Sequence, residues 1–188
     1  VPGNLFAPGV KDTSGSNIAV WRYNAFGQMT DMSDPDLGYA HMEYNAFGDN
    51  TSRTDALNRT TSFAYDRLGR MTAKYLPGNE GMVRYAYDAK QGSGNALGRI
   101  VYIDDPTETK QFSYDRLGRV KEETRIVKTS PPDPLSPGER GSYITRFTYD
   151  LVGRKTAIRY PADPANGNYV TVSYEHCPMG VTAVTVNN

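Results

Sequence analysis

Cysteine is nearly missing from this chain: Cys177 is the only one in 188 residues, which excludes an internal disulfide. Histidine is scarce too, with only His41 and His176. No Cys or His spacing suits zinc, so no metal is expected. No run of 18 apolar residues occurs, so nothing is expected to span a bilayer as a helix. Neither charge is in excess. Lys plus Arg and Asp plus Glu both come to 21, which gives no broad electrostatic case for nucleic acid or an anionic membrane. Apolar residues make up 38%, below the usual content of about 45–50% and too few for a thick globular core. The first seventeen residues, VPGNLFAPGVKDTSGSN, lack a charged-then-apolar signal region. The chain begins without Met and is expected to be a segment of a longer polypeptide.

What the chain does have is tyrosine, 14 of them, and a hexapeptide that keeps returning. It reads YNAFGQ at Tyr23 with Gly27, YNAFGD at Tyr44 with Gly48, and YDRLGR over Tyr65, Asp66, Gly69 and Arg70. YDRLGR returns over Tyr114, Asp115, Gly118 and Arg119, and YDLVGR covers Tyr149, Asp150, Gly153 and Arg154. A stretched copy, YDAKQGSGNALGR, runs from Tyr87 and Asp88 to Gly98 and Arg99, and a worn copy, YEHCPMG, is read from Tyr174. The tyrosines fall 21, 21, 22, 27, 35 and 25 residues apart. Self-similarity at that period marks an array of one small supersecondary unit, a design for shape and surface.

Each copy reads as a β-hairpin. Asp or Asn at the first turn position with Gly at the fourth is the composition of a type I turn. The Asx side chain caps the turn, and Gly tolerates the left-handed backbone that follows. Gly48, Gly69, Gly118 and Gly153 are therefore expected at positive φ. Either side of the turn, residues alternate with period two: Phe63 and Tyr65, Phe112 and Tyr114, and Phe147 and Tyr149 before it, Met71, Ala73 and Tyr75 after it. Between hexapeptides lies a second, looser class of turn, including DPDLG at Asp34, DALN at Asp55 and PADPANG at Pro161. Two short turns and two strands fill a period of about 21 residues. The expected fold is all-β, an antiparallel meander of about seven hairpins without helix. It is expected to form a single domain over residues 1–188, with an irregular segment at 1–17 and a Pro-rich loop insertion at 129–141.

No constellation of residues indicates catalysis, and neither catalytic nor cofactor-binding residues are assigned. One Asp per hairpin, as at Asp66, Asp88, Asp115 and Asp150, is explained by turn capping rather than by a facing carboxylate pair. The arginines after each Gly are expected to form cross-strand ion pairs or to stack on the next repeat's Tyr, with a polyanion ladder as the functional alternative. His176 and Cys177 lack a third orienting group and an oxyanion hole, and are expected to be exposed without function. Gly92, Gly94 and Gly98 lack the strand-to-helix context of a phosphate loop. Asn50 and Asn58 begin glycosylation sequons expected to be bare. The tyrosines form a fork. Facing inward they pack repeat on repeat, which is the favoured reading; exposed, they make a glycan-binding strip.

Tyr-Asp-x-x-Gly-Arg at this spacing, with Asp55-Ala-Leu-Asn-Arg-Thr-Thr between copies, resembles the YD or RHS repeat. That repeat occurs in bacterial Rhs polymorphic toxins, insecticidal toxin complexes, wall-associated proteins and teneurins. The resemblance runs from Tyr23 to about Val186. It implies a long, curved sheet that spirals into a hollow shell around a toxin or effector, in a secreted or cell-surface bacterial protein. The implied partners are the rest of the shell and its cargo. The family's self-cleavage motif, of Asp-Pro-x-Gly type, has only a partial likeness in Asp34-Pro35-Asp36-Leu37-Gly38, which falls where an ordinary turn belongs. Cut from such a shell, the chain is expected to expose edge strands near 18–23 and 181–186. Self-association follows from those edges or from an uncovered apolar face, most simply as a homodimer.

Overall fold

The computed structural model describes residues 5–6, 19–88, 95–128, 142–163 and 166–187. The enlarged Pro-rich loop and residues 89–94 of the expanded fourth hexapeptide lie outside the described residues. The chain divides into two compact units, Val1–Val83 and Arg84–Asn188, with the boundary inside a strand.

The first unit contains β1 (Leu5–Phe6), β2 (Val20–Tyr23), β3 (Met29–Asp34), β4 (Gly38–Tyr44), β5 (Asn50–Asp55), β6 (Thr60–Tyr65) and β7 (Met71–Tyr75), followed by the start of β8 (Met82–Tyr87). From β1 to β7 every strand pairs antiparallel with the next in chain order. The second unit takes the rest of β8, then β9 (Ile100–Asp104), β10 (Glu108–Tyr114), β11 (Val120–Val127), β12 (Ser142–Tyr149), β13 (Lys155–Ala162), β14 (Tyr169–Cys177) and β15 (Gly180–Asn187). The same nearest-neighbour pairing runs from β8 to β15. The described residues contain no helix. The fold is the all-β hairpin meander that the period-two patterning predicts.

The N-terminal edge departs from expectation. Leu5 and Phe6 lie opposite Tyr23 and Arg22, so β2 is not the edge strand, and the segment before it is not wholly irregular. An extended pair of residues satisfies backbone groups that β2 would otherwise leave open.

A single sheet has little interior. Burial concentrates at Ala40, Met42 and Ala73 in the first unit and at Ala96 and Thr109 in the second. In β4 the alternation is plain: Ala40 and Met42 are buried, while Tyr39 and Glu43 are exposed. The half-buried aromatics along the other strands fit the low apolar content.

The register holds a feature with no counterpart in the sequence reading. At six of the seven hexapeptides the pairing slips by one residue just before the tyrosine. Arg22 faces Asp31 but Tyr23 faces Met29; Ser113 faces Glu122 but Tyr114 faces Val120. The same slip occurs at Tyr44, Tyr65, Tyr87 and Tyr149. The extra residue sits on the outgoing strand: Thr30, Thr51, Thr72, Val101, Lys121 and Thr156. A bulge of this kind sharpens local twist and re-aims the neighbouring side chain, here the motif Tyr.

Candidate functional site

The turn at Asp66 shows how the hexapeptide builds itself. Asp66 N donates to Arg70 O at 2.9 Å, and Gly69 N to Asp66 O at 3.1 Å. Asp66 Oδ1 accepts from Leu68 N and Arg70 N at 2.9 and 3.0 Å, while Arg70 Nε donates to Oδ2 at 2.7 Å. A three-residue loop of this kind ends in the left-handed region, and Gly69 has φ of 73°. Gly48, Gly118 and Gly153 have φ of 93°, 75° and 92°.

Asp115 and Asp150 repeat the arrangement with Arg119 and Arg154. The arginine's carboxylate partner is thus the Asp of its own turn, not one across neighbouring strands as the sequence suggested. The turn's closing backbone bond places residue i+4 beside residue i, within reach of a bidentate contact. Where the pattern reads Asn instead, the partner changes with it: Asn24 Nδ2 donates to Gln28 Oε1 at 2.6 Å and Asn45 Nδ2 to Asp49 Oδ2 at 3.0 Å. The DALNR turn, read as a looser class, has the same geometry. Asp55 caps Leu57 and Arg59, pairs with Arg59 at 2.8 Å, and Asn58 stands at φ 57° in place of Gly. Backbone N–H donation from Arg70 and Arg59, joined by their side chains, holds the carboxyls of Asp66 and Asp55 below the usual range. For Asp115 and Asp150, desolvation pushes upward but the same hydrogen bonds outweigh it.

At three of the motifs the tyrosine before the turn latches its hairpin to the preceding one. Tyr44 Oη donates to Met29 O at 2.8 Å, Tyr114 Oη to Ile100 O at 2.5 Å, and Tyr149 Oη to Val120 O at 2.8 Å. Each acceptor lies two residues after the previous turn's Gly. Burial raises the Tyr114 and Tyr149 hydroxyls above their ordinary pKa, so they stay protonated donors at neutral pH. Tyr65 stands in the same position, its hydroxyl also raised by burial and then by the Asp49 carboxylate. The arginines complete the link in the other direction. Arg99 Nε donates to Gly118 O, Arg119 Nη1 to Asp150 O and Arg154 Nη1 to Cys177 O, at 3.0, 3.0 and 3.1 Å. Arg119 also lies over the Tyr149 ring, 4.5 Å from its centroid, and Arg99 over Tyr114 at 5.7 Å. In the stretched copy the turn still closes, with Asp88 N donating to Arg99 O at 3.1 Å.

The last copy requires a correction. Its slip falls between Glu175 and His176, and Cys177 pairs with Gly180 across the turn. The turn therefore starts at Cys177, which makes His176 the residue before it. Tyr174 matches Phe63, Phe112 and Phe147 instead of the motif Tyr. His176 Nε2 lies 2.6 Å from Lys155 O, the carbonyl two residues after Gly153, and donates to it. His176 is a latch, not an idle exposed side chain. Counting back from Gly180 by four, as from Gly27, Gly48, Gly69, Gly118 and Gly153, would have found it.

Two other sequence candidates resolve simply. Asp34 Oδ1 accepts from Asp36 N and Leu37 N, an ordinary capped turn. Asp31 gathers His41 Nδ1 at 2.9 Å, Tyr39 Oη at 2.7 Å and Thr30 Oγ1 at 2.9 Å. Burial opposes ionisation there, but these three donors leave the Asp31 carboxyl below its usual range. His41 is oriented by a carboxylate, yet its neighbours supply no activated nucleophile. Among the described residues no cluster of His, Cys, Asp and Glu could hold a metal.

The turn tips are apolar and bare. At the third turn position stand Phe26, Phe47 and Leu68 in the first unit, and Leu97, Leu117, Val152 and Met179 in the second. Phe47 is 92% exposed.

Residues 44–80 match the RHS Repeat family. That stretch reads as an RHS repeat. Three solved structures share the fold at 13% identity. They are the crystal structures of TcdB2-TccC3-Cdc42 and of TcdB2-TccC3 without its hypervariable C-terminal region, both with a TM-score of 0.51, and the Photorhabdus luminescens Tc holotoxin pore at 0.53. Each match covers 89% of this chain and 11% of the other, so this chain spans about a ninth of the length of those chains. No curated protein matches the sequence.

Proposed function

We propose that this RHS-repeat array is a stretch of shell wall, a non-catalytic segment of one domain that helps a longer polypeptide enclose or display a toxin or effector. The observation that carries the reading is the latch. The turns at Asp115 and Asp150 commit their polar groups to themselves and to the adjoining hairpins, through Tyr114 and Tyr149 to the preceding one and through Arg119 and Arg154 to the following one, and His176 closes the series. Such chemistry sets spacing and rigidity in an array and leaves no activated group over for a reaction. The RHS match and the toxin-complex structures that share the fold support a shell, with the remaining wall and its cargo as partners. A secreted or surface location in a bacterium belongs to the same reading. The alternative, a glycan strip made from the motif tyrosines, is disfavoured because Tyr44, Tyr114 and Tyr149 spend their hydroxyls on backbone carbonyls.

The test uses the parent polypeptide. Limited proteolysis should leave any downstream segment intact in the wild type and cleave it rapidly when Gly118 and Gly153 are both replaced by Val. Equal cleavage of that segment in the two proteins would remove the encapsulation reading.

A further inference from the structure

In the second unit, strand pairing draws a polar row across β10 to β15. Ser113 faces Glu122, Glu122 faces Arg146, Arg146 faces Arg159, Arg159 faces Thr171 and Thr171 faces Asn187. Two arginines directly opposite one another repel, an arrangement sheets ordinarily avoid. Glu122 answers Arg146 at 2.9 Å. Among the described residues no carboxylate answers Arg159. Its guanidinium instead lies over the Tyr169 ring, 3.7 Å from the centroid. Stacking fixes the plane of the guanidinium and leaves its N–H edge free, the geometry that receives a carboxylate through two parallel hydrogen bonds. That edge borders a recess of about 440 Å³ lined by Arg159, Gly167, Asn168, Tyr169, Thr171 and Asn187.

We propose that this recess binds a uronic acid residue of an acidic glycan, with the sugar carboxylate on Arg159. The repulsion from Arg146 supports an anion at Arg159, since a bound carboxylate removes the conflict that the fold leaves open. The other lining groups favour a saccharide over a bare anion. Asn168 and Asn187 amides and the Thr171 hydroxyl both donate and accept, which matches sugar hydroxyls. A recess of this volume falls within the range of small-ligand sites, about 300–1,000 Å³, and exceeds what a carboxylate alone would fill. The inference stands apart from the wall reading, because a shell segment with or without cargo can carry such a subsite on its surface.

The experiment is an NMR titration of the full chain with glucuronate, glucose and acetate, following the Arg159 Nε–H and Tyr169 ring resonances. Glucuronate should produce saturable shifts in both, with glucose and acetate at least about tenfold weaker, the equivalent of about 1.4 kcal/mol. Arg159→Lys keeps the charge but loses the fork and the stack, and should weaken glucuronate by a similar factor. Absence of saturable shifts, glucose as effective as glucuronate, or an Arg159→Lys protein that binds like wild type would each overturn the assignment. Acetate equal to glucuronate would overturn the saccharide. The comparison of the three probes on wild type needs no variant, so a folding defect cannot mask the result.

Discussion

A Cβ on Gly118 would meet two obstacles at once. The residue sits at φ 75°, and the added carbon would overlap the Arg99 guanidinium that donates to its own carbonyl. The guanidinium can swing away, but the backbone cannot. Gly118→Val should therefore cost at least about 1–2 kcal/mol from the left-handed conformation alone, read as a lower urea midpoint with unchanged slope. A neutral Gly118→Val would mean that the turn tolerates another conformation. The latches predict a subtler pair of effects. Tyr149→Phe loses one hydrogen bond to Val120 O and should cost about 0.5–1.5 kcal/mol. His176→Tyr installs the residue that the other hairpins use against the equivalent carbonyl, and should leave the urea midpoint unchanged or raise it. A loss as large as that of Tyr149→Phe would show that His176 is no substitute for the motif Tyr. At this scale the turn Asp and Gly were legible, because capping and positive φ leave a compositional mark. His176 was not, because the eye follows tyrosine, and Tyr174 lies two residues out of frame.

Each turn is also an electrostatic element. Asp66, Asp115 and Asp150 pair with the arginine four residues on, and their carboxyls are held below the ordinary value near 3.8. A depressed carboxyl contributes stability above its unfolded-state pKa, and that contribution is lost as pH falls through the folded-state value. The urea midpoint should accordingly be flat from neutral pH to about 5 and decline below about 4. Asp115→Asn keeps an acceptor for the Leu117 and Arg119 N–H groups but removes the charge opposite Arg119. It should be less stable than wild type at neutral pH and converge with it in acid. A gap that persists at low pH would place the aspartate's value in its shape and not in its charge. Strand alternation was readable from residues such as Phe147 and Tyr149. The bulge behind every motif Tyr was not, because Thr30, Thr51 and Thr156 look like ordinary strand residues until the pairing shows them unmatched. Arg119 reaches its own Asp because the turn closes residue 115 onto residue 119, Asp115 N donating to Arg119 O at 2.9 Å.

At the scale of the whole molecule the open question of pairing falls on β15. It hydrogen-bonds β14 along one side, and no described strand lies against the other. Gly180–Asn187 reads GVTAVTVN, with neither charge nor proline to discourage a visitor, and Val181, Val184 and Val186 are all more than half exposed. A long, uncharged, apolar edge of this kind is a template for a further strand. The other end of the array differs, since Leu5 and Phe6 already lie along β2. That asymmetry is why association is predicted through β15. Two copies meeting edge to edge about a two-fold axis satisfy both open ladders with one contact. Light scattering should then give a weight-average mass that rises with concentration toward a dimer. Val184→Lys places a charge beside its own symmetry mate and should hold the protein closer to monomer, without changing the urea midpoint measured at low concentration. A wild-type protein that stays monomeric at high concentration, or a Val184→Lys protein that associates as strongly, would exclude the β15 edge as the contact. In the second case the exposed turn tips, Phe47 and its counterparts, become the surface to substitute next.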